Sequence, residues 1–230
     1  MNELYESNVK KAVDNNIAWC QLVSAAHGKE SFTTDKVWGL RAVAPPYYPE
    51  LITSSRVTIE EDIVEFLKLD HVGSIKDSYA TLHLEPFGFQ MLFEAEWIYS
   101  PSVSEKETGP YEWKLVRTKE EFERWTKETG LENSIPTSLL GGPEMRMYFL
   151  NCPNGCAGFI ANKAADVVGI SNVFSRGMDE INLWRTIPHV VSKEYPGVHM
   201  VGYEHGDLLS AARSSGWTSM GALRVWIKSR

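Results

Sequence analysis

The sequence predicts an α/β (α+β) fold in which helices flank a mixed, mainly antiparallel sheet. A strand pattern followed by a helix pattern supports this fold class, most clearly between Val167 and Tyr195. The first part of this stretch holds closely spaced β-branched or apolar residues, which favour a buried strand: Val167, Val168, Ile170 and Val173. The second part holds apolar residues three to four positions apart, as on a helix face packed against a sheet: Ile181, Trp184, Ile187 and Val191.

The composition supports a folded protein and argues against several classes. The chain has 230 residues, enough for one large domain or two small ones, and 43% of them are hydrophobic. A net charge of −7 disfavours a general affinity for nucleic acid or anionic membranes. We expect no signal peptide and no membrane span, because the first thirty residues are polar and no apolar run is long enough. We expect a cytoplasmic protein whose cysteines are reduced thiols.

The first hundred residues predict helices and strands separated by strong turn signals. Thr58-x-x-Glu61 is a capping-box pattern at the start of one helix. The proline-rich segment Ala44–Pro49 predicts a rigid extended loop, whose Tyr47 and Tyr48 either stack on a ligand or pack a crossover. Helices are predicted over Ser7–Ala26 and Ile59–Leu69, and strands over Asp35–Val43, Leu51–Ser54, Asp77–Leu84 and Met91–Tyr99.

The second half begins with the same kind of signals. Thr118-x-x-Glu121 is a second capping box, and Gly130 ends the helix that it starts. Asn154-Gly155 predicts a hairpin turn between Cys152 and Cys156, which we interpret as neighbours at a hairpin rather than as metal ligands. Pro188 predicts a bend or break in the helix around it. Strands are predicted over Trp113–Arg117, Met145–Leu150, Ala157–Asn162, Val167–Val173, His199–Glu204 and Leu223–Ile227.

A short echo indicates that the two halves are related. Gly88-Phe89 and Gly216-Trp217 each precede a strand that contains alanine and continues into Trp-Ile, and a predicted strand precedes each pair. One echo of this length can arise by chance. The alternative is a pair of related half-domains, residues 1–100 and residues 111–230. The polar, turn-rich segment from Ser100 to Pro110 would then be the linker.

The order of elements between Trp113 and Lys228 resembles a known superfamily. After the strand Val167–Val173 come a helix, the strand His199–Glu204, the helix Asp207–Ser214, Gly216-Trp217 and a last strand. This order resembles the C-terminal half of the Gcn5-related N-acyltransferase (GNAT) superfamily. The resemblance implies two parallel neighbouring strands whose C-terminal ends diverge. It also implies binding of acetyl-CoA or another acyl-CoA and acyl transfer to an amine.

The resemblance also implies candidate site residues at the diverging strands. Tyr203, Glu204 and His205 are the candidate catalytic residues: Glu204 or His205 as the base for the amine, and Tyr203 as the donor to the leaving thiolate. The alternative is a tyrosine packed in the sheet beside two solvated residues at a helix start. The candidate acyl-CoA contacts are the stretch Gly169, Ile170, Ser171, Asn172 and Val173, followed by Arg176 and Gly177.

Each acyl-CoA contact has a simpler interpretation, and two family signatures are missing. The stretch from Gly169 could be an ordinary central strand, and Arg176 could pair with Asp179 and Glu180. Asp179 and Ile181 occupy positions that are glycine in the family's pyrophosphate loop. A carboxylate there costs on the order of 1–4 kcal/mol per like-charge contact with pyrophosphate. The family's general-acid tyrosine corresponds to Ala212.

These observations predict an N-acyltransferase that moves an acetyl or other acyl group from acyl-CoA directly to a small amine. The alternative is a GNAT-fold protein without transfer activity that binds a small molecule or a partner. We expect no metal, because no histidine or cysteine set has ligand spacing, and no nucleic-acid or membrane partner. The sequence contains no motif of a serine hydrolase, a P-loop nucleotidase or a Rossmann dehydrogenase.

Overall fold

The computed structural model describes residues 3–103, 111–152 and 155–229, with side chains described throughout except at residues 3–5 and Cys152. The helices in these ranges are α1 (Glu3–Ala26), α2 (Glu60–Leu67), α3 (Lys119–Thr129), α4 (Glu180–Glu194) and α5 (Gly206–Ser214). The strands are β1 (Ser31–Thr33), β2 (Val37–Leu40), β3 (Leu51–Thr53), β4 (Ser74–Asp77), β5 (Phe89–Ser100), β6 (Lys114–Leu115), β7 (Met145–Cys152), β8 (Gly155–Ala164), β9 (Val167–Arg176), β10 (Met200–Glu204) and β11 (Thr218–Lys228).

All the strands of these ranges form one mixed sheet in the order β1-β2-β3-β4-β11-β5-β10-β9-β8-β7-β6. The pairs β3–β4 and β9–β10 are parallel, and the other neighbours are antiparallel. The structure confirms the predicted α/β class and the mainly antiparallel sheet. The linker residues 104–110 and the hairpin residues 153–154 lie outside the described residues.

Outward from the central β11–β5 pair, the relative directions of the next two strands are the same on both sides. On one side β11 pairs antiparallel with β4, and β4 runs parallel to β3. On the other side β5 pairs antiparallel with β10, and β10 runs parallel to β9. This pattern supports two related halves, a division that stays a proposal. It also means that β5 and β11 each lie beside a strand of the other half.

Helices cover both faces of the sheet. On one face, α1 packs on the sheet through Val9 and Val13, close to Trp97 and Val201. On the other face, α4 and α5 cover β9 and β10, and four apolar residues of α4 are completely buried: Leu183, Trp184, Ile187 and Val191. Full burial of each such side chain contributes about 1.5–3 kcal/mol relative to exposure.

Local capping signals predicted one helix well and another incorrectly. At α3, Thr118 accepts a hydrogen bond from the backbone of Glu121 in a capping box, and Gly130 ends the helix with a φ of 71°. At α2, Thr58 donates to the backbone oxygens of Lys36 and Ser55 instead of capping. The predicted Thr58 box is therefore wrong, and the Asp62 carboxylate accepts the N–H of Ile59 at 2.9 Å in its place.

The predicted strand from Asp77 to Leu84 is also wrong, because β4 ends at Asp77. The carboxylate of Asp77 accepts the backbone N–H groups of Tyr79 at 3.4 Å and Leu82 at 2.9 Å. These bonds fold the chain back on itself, and Ala80 has a φ of 54° in the turn. The apolar alternation of this segment reflects the burial of Leu82 and Leu84 in a loop.

Of the bend or break predicted at Pro188, a break does not occur, since α4 continues through it. Proline has no N–H for the carbonyl of Trp184, four residues earlier. The indole Nε1 of Trp217 donates to that carbonyl at 3.2 Å, so the oxygen that proline leaves free is satisfied from outside the helix.

Candidate functional site

The parallel strands β9 and β10 separate at their C-terminal ends. They pair at Met200↔Val168, Val201↔Gly169 and Gly202↔Ile170, and then the pairing stops. Beyond Gly202, β10 continues beside β5 as far as Glu204, while β9 continues beside β8. The expected divergence is confirmed. A Cβ on Gly202 would lie 2.8 Å from the Ile170 carbonyl oxygen, so glycine allows the strands to approach just before they part.

A β-bulge in β9 lies at the divergence. Gly158 of β8 pairs with Phe174, and Ile160 pairs with Ser171, so β9 has one extra residue between these pairs. Asn172 lies in the bulge with a φ of 52°, in the left-handed region that a non-glycine residue rarely adopts. No strand pairs with this part of β9 on the β10 side within the described residues. The bulge therefore turns strained backbone towards the gap.

The gap opens into a cavity of about 260 Å³ beneath α1. The cavity brings together most of the predicted site: Ile170, Ser171, Asn172 and Val173 from β9, with Tyr203, Glu204 and His205 from β10 and the residue after it. The remaining wall comes from α1, the proline-rich loop, neighbouring strands and the loop after α3: Asn16, Trp19, Cys20, Tyr47, Tyr48, Pro49, Lys76, Phe93 and Leu131. Tyr47 is 82% exposed at the mouth with a φ of 70°, whereas Tyr48 packs against the core.

Tyr203 is held from several sides. Its hydroxyl oxygen accepts a hydrogen bond from Lys76 Nζ at 3.1 Å, and the same Nζ lies 4.3 Å from the centre of its ring. Its ring meets Trp97 edge to face at 5.5 Å. Because the phenol oxygen accepts from Lys76, its own O–H remains able to donate.

Glu204 faces the start of α4. Successive residues of a strand alternate faces, so Glu204 points away from Tyr203 and Lys76. Burial and the nearby Glu180 carboxylate raise the pKa of Glu204 to about 8, against a smaller lowering by the backbone N–H of His205. A half-buried carboxyl with such a pKa is matched to taking a proton from an amine near neutral pH.

His205 is the residue before the first turn of α5 and is exposed. Its ring stacks on Phe93 with 4.7 Å between the ring centres. The stack fixes the imidazole at the rim of the cavity.

Comparison with solved structures identifies the fold. A GCN5-related N-acetyltransferase from Kribbella flavida superposes with a TM-score of 0.61 at 12% identity, over 94% of this chain and 95% of that one. A protein assigned to the GNAT acetyltransferases from Novosphingobium aromaticivorans gives a TM-score of 0.51 at 12% identity, over 95% and 99%. The chain has the GNAT fold.

A functionally unknown conserved protein from Staphylococcus epidermidis is also similar, with a TM-score of 0.60, 10% identity and coverage of 88% of this chain and 95% of that one. No protein-family model matches the sequence, and no curated protein matches it. The similarity to the GNAT structures spans nearly the whole chain, including the first hundred residues.

The N-terminus of α4, where the GNAT resemblance implies pyrophosphate binding, already holds a carboxylate. Asp179 Oδ1 accepts the backbone N–H groups of Ile181 at 2.9 Å and Asn182 at 3.3 Å. Its Oδ2 accepts the Asn182 side-chain amide at 3.0 Å. These N–H groups are the ones that a helix start offers to an anion, so a pyrophosphate would have to displace Asp179.

Three of the candidate acyl-CoA contacts do not line the cavity: Gly169, Arg176 and Gly177. Arg176 points to α3, where its guanidinium pairs with the Glu128 carboxylate at 3.3 Å and donates to the Glu128 carbonyl at 2.6 Å. Pairing of Arg176 with Asp179 or Glu180 is therefore not what the structure contains. Gly177 follows with a φ of 69° and turns the chain towards α4.

Gly169 has a packing role beneath α1. A Cβ there would collide with the side-chain oxygen of Asn15. The Asn15 amide donates to the carbonyls of Asn162 at 3.1 Å and Ala164 at 3.2 Å, which ties α1 to the β8–β9 hairpin. Gly169 pairs with Val201 before the strands diverge.

Nothing in the sequence pointed to Lys76, Asn16 or Trp19, which all lie in the first hundred residues. Lys76 stands in a short strand between Ile75 and Asp77, where a lysine would ordinarily be taken for a solvated residue. In the structure it is 3% exposed.

Residues 3–103, 111–152 and 155–229 include no helix long and apolar enough to cross a membrane. The same ranges hold no group of three or more His, Cys, Asp or Glu side chains that could bind a metal ion. Cys20 and Cys156 are free buried thiols.

Proposed function

We propose that this protein transfers an acyl group from acyl-CoA to a small amine within a ternary complex. The observation that carries the proposal is the gap between β9 and β10, with a strained bulge on one side and Glu204 on the other. The GNAT fold supports it. The acyl donor and the cytoplasmic location belong to the same proposal.

The cavity residues have distinct roles in this reaction. The backbone of β9 after Ile170 has no strand partner on the gap side and would hold the pantetheine arm and the thioester. The neutral amine attacks the thioester carbonyl carbon, a C–N bond forms and the C–S bond breaks. Glu204 takes the proton that the amine nitrogen loses, and Tyr203 gives its proton to the leaving thiolate.

Binding of the nucleotide end of acyl-CoA should be weak. Asp179 occupies the α4 amides, and Glu180 lies in the same first turn, so a pyrophosphate meets two carboxylates. We predict a dissociation constant for acetyl-CoA weaker than micromolar. The thioester end would be held mainly by the backbone of β9.

The contacts of Asp179 also favour the second candidate function, a GNAT-fold protein that binds a small molecule without acyl transfer. In that case the cavity would take its ligand with no acyl-CoA present. The two functions differ in one measurable respect, the effect of Asp179 on acetyl-CoA binding.

Calorimetric titration of acetyl-CoA into three proteins tests the proposal: wild type, Asp179→Asn, and Asp179→Gly with Ile181→Gly. The glycine double variant frees the amides and removes one charge, so binding should tighten by roughly 1–3 kcal/mol, about five- to a hundred-fold. Asp179→Asn is the matched control, because it removes the charge while retaining a capping side chain, and its gain should be smaller.

An acyl-transfer assay with each protein, across a panel of small amines, completes the test. Measurable transfer that increases with acetyl-CoA affinity supports the enzyme. If none of the three proteins binds acetyl-CoA or transfers an acetyl group, the enzyme proposal is wrong and the small-molecule binding function replaces it. Tight binding by wild type would mean that the charge argument at α4 is wrong.

A further inference from the structure

The cavity contains a buried cation with no counter-ion. Lys76 is 3% exposed, and its Nζ reaches the cavity wall from β4. It donates to Asn16 Oδ1 at 2.9 Å and to the Tyr203 hydroxyl at 3.1 Å, and both acceptors are uncharged groups. Within residues 3–103, 111–152 and 155–229, no carboxylate lies at ion-pair distance from it.

Burial costs this ammonium hydration, and its contacts with Asn16 and Tyr203 offset that cost without a carboxylate. A buried charge without a partner loses several kcal/mol of hydration, and here only neutral oxygens and a ring face replace the water. An ammonium has three N–H donors, and two of them have the partners named above. Burial works against the charged form, but Tyr203 and Cys20 outweigh it, and the pKa of Lys76 is raised above its usual value.

We infer that Lys76 binds the carboxylate of the acceptor, so that the amine substrate is an amino acid with an apolar side chain. This inference deepens the proposed function and rests on it, because only acyl transfer makes the bound amine an acceptor. The carboxylate would complete the third hydrogen bond of the ammonium and neutralise its charge. Lys76 and the proposed base Glu204 both line this cavity.

The rest of the wall fits the same ligand class. Four aromatic side chains line the same cavity: Trp19, Tyr47, Tyr48 and Phe93. They suit an apolar side chain. The cavity volume of about 260 Å³ suits a small ligand.

The alternative is that Lys76 only fastens α1 to the sheet through Asn16. The two roles differ in what Lys76→Met does to ligand binding. Because the fold raises the pKa of Lys76, the empty protein favours the charged ammonium, and both roles predict a lower Tm for Lys76→Met. A ligand-binding role predicts in addition that wild type prefers an acid to its amide and that Lys76→Met loses this preference, whereas a purely structural role predicts no such preference.

The experiment uses matched ligands that differ only at the acid group: leucine against leucinamide, and phenylalanine against phenylalaninamide. Calorimetry with wild type, in the absence of acyl-CoA, should give about 10- to 100-fold tighter binding of the acids, as expected for a charge-assisted hydrogen bond. In Lys76→Met this preference should fall to about threefold or less. Lys76→Arg, which retains the charge, should keep part of it.

Three results would overturn the inference: equal binding of acid and amide by wild type, no binding of either, or an unchanged preference in Lys76→Met. The wild-type comparison needs no variant, so the inference stays falsifiable if Lys76→Met does not fold. Acid-selective binding without acyl transfer would leave the inference standing and remove the proposed function. Equal acetylation of leucine and leucinamide would overturn the inference and support the proposed function.

Discussion

At the scale of single residues, the charge of Glu204 links the cavity to the stability of the protein. Burial and Glu180 raise its pKa to about 8, from about 4.3 in an unfolded chain. A carboxyl with a raised pKa binds its proton more tightly when the protein is folded. Its favourable contribution is therefore complete below the unfolded pKa and is lost as the pH rises towards 8.

The first residue-scale prediction concerns Glu204→Gln, which cannot ionise. The difference in unfolding free energy between variant and wild type should grow in favour of the variant from pH 5 to pH 9. Each unit of pKa shift is worth about 1.4 kcal/mol, so the change should reach a few kcal/mol at most. Urea denaturation at a series of pH values measures it. A difference that does not change with pH would show that the carboxyl titrates normally.

Glu180→Gln is the matched control for this prediction. It removes the neighbouring negative charge that helps to raise the pKa of Glu204. In Glu180→Gln, the loss of stability with rising pH should therefore end at a lower pH and be smaller than in wild type. In the transfer assay, loss of activity in Glu204→Gln with retained acetyl-CoA affinity would support its role as the base, while unchanged activity would exclude that role.

At the scale of elements, local signals predicted α3 correctly but failed at the start of α2 and after Asp77, and contacts between distant residues could not be predicted. Both ends of α3 were predicted because Thr118, Glu121 and Gly130 act on neighbouring backbone. The prediction of a strand from Asp77 to Leu84 is wrong, because apolar residues alternate in this buried loop as they would in a strand.

The candidate site shows the same division between local and distant signals. Seven of the site residues that the GNAT resemblance implied line the cavity. Four of them lie on β9 and three follow Gly202. Lys76 and Trp19 were missed because they lie far away in the chain and reach the cavity only when the sheet forms.

The element-scale prediction concerns Gly169 and the packing of α1 on β9. A methyl group at Gly169 would push Asn15 out of its hydrogen bonds to β8. Gly169→Ala should lower the unfolding free energy by about 1–3 kcal/mol, the usual cost of overpacking. Gly73→Ala is a matched control, because the nearest atom to its added Cβ lies at 4.0 Å.

A double-mutant cycle with Asn15→Ala separates packing from acyl-CoA binding. Once Asn15 is truncated, the added methyl group has nothing to displace, so the two costs should not add. Denaturation curves of both single variants and of the double variant give this result. Additive costs, together with a specific loss of acetyl-CoA affinity in Gly169→Ala, would return Gly169 to the acyl-CoA site.

At the scale of the whole molecule, the two proposed halves share one sheet by exchanging their last strands. β5 belongs to the first half by sequence but lies between β10 and β11 of the second. It pairs with β11 from Phe89↔Lys228 to Tyr99↔Thr218, the centre of the sheet. The cavity depends on the same exchange, since Lys76 from β4 meets Tyr203 from β10.

The last prediction follows from this exchange. If the chain is cut by a protease site placed in residues 104–110, the two fragments should stay together, because β5 and β11 pair over their whole length, with two register shifts. Size-exclusion chromatography should show one species of unchanged mass, and urea should unfold it in one concentration-dependent transition. Residues 111–230 expressed alone should not fold, because β10 and β11 would lack the strand that joins them and would expose unpaired edges. A stable, cooperatively folded fragment 111–230 would mean that each half is an independent domain and that the exchange adds contact without being required.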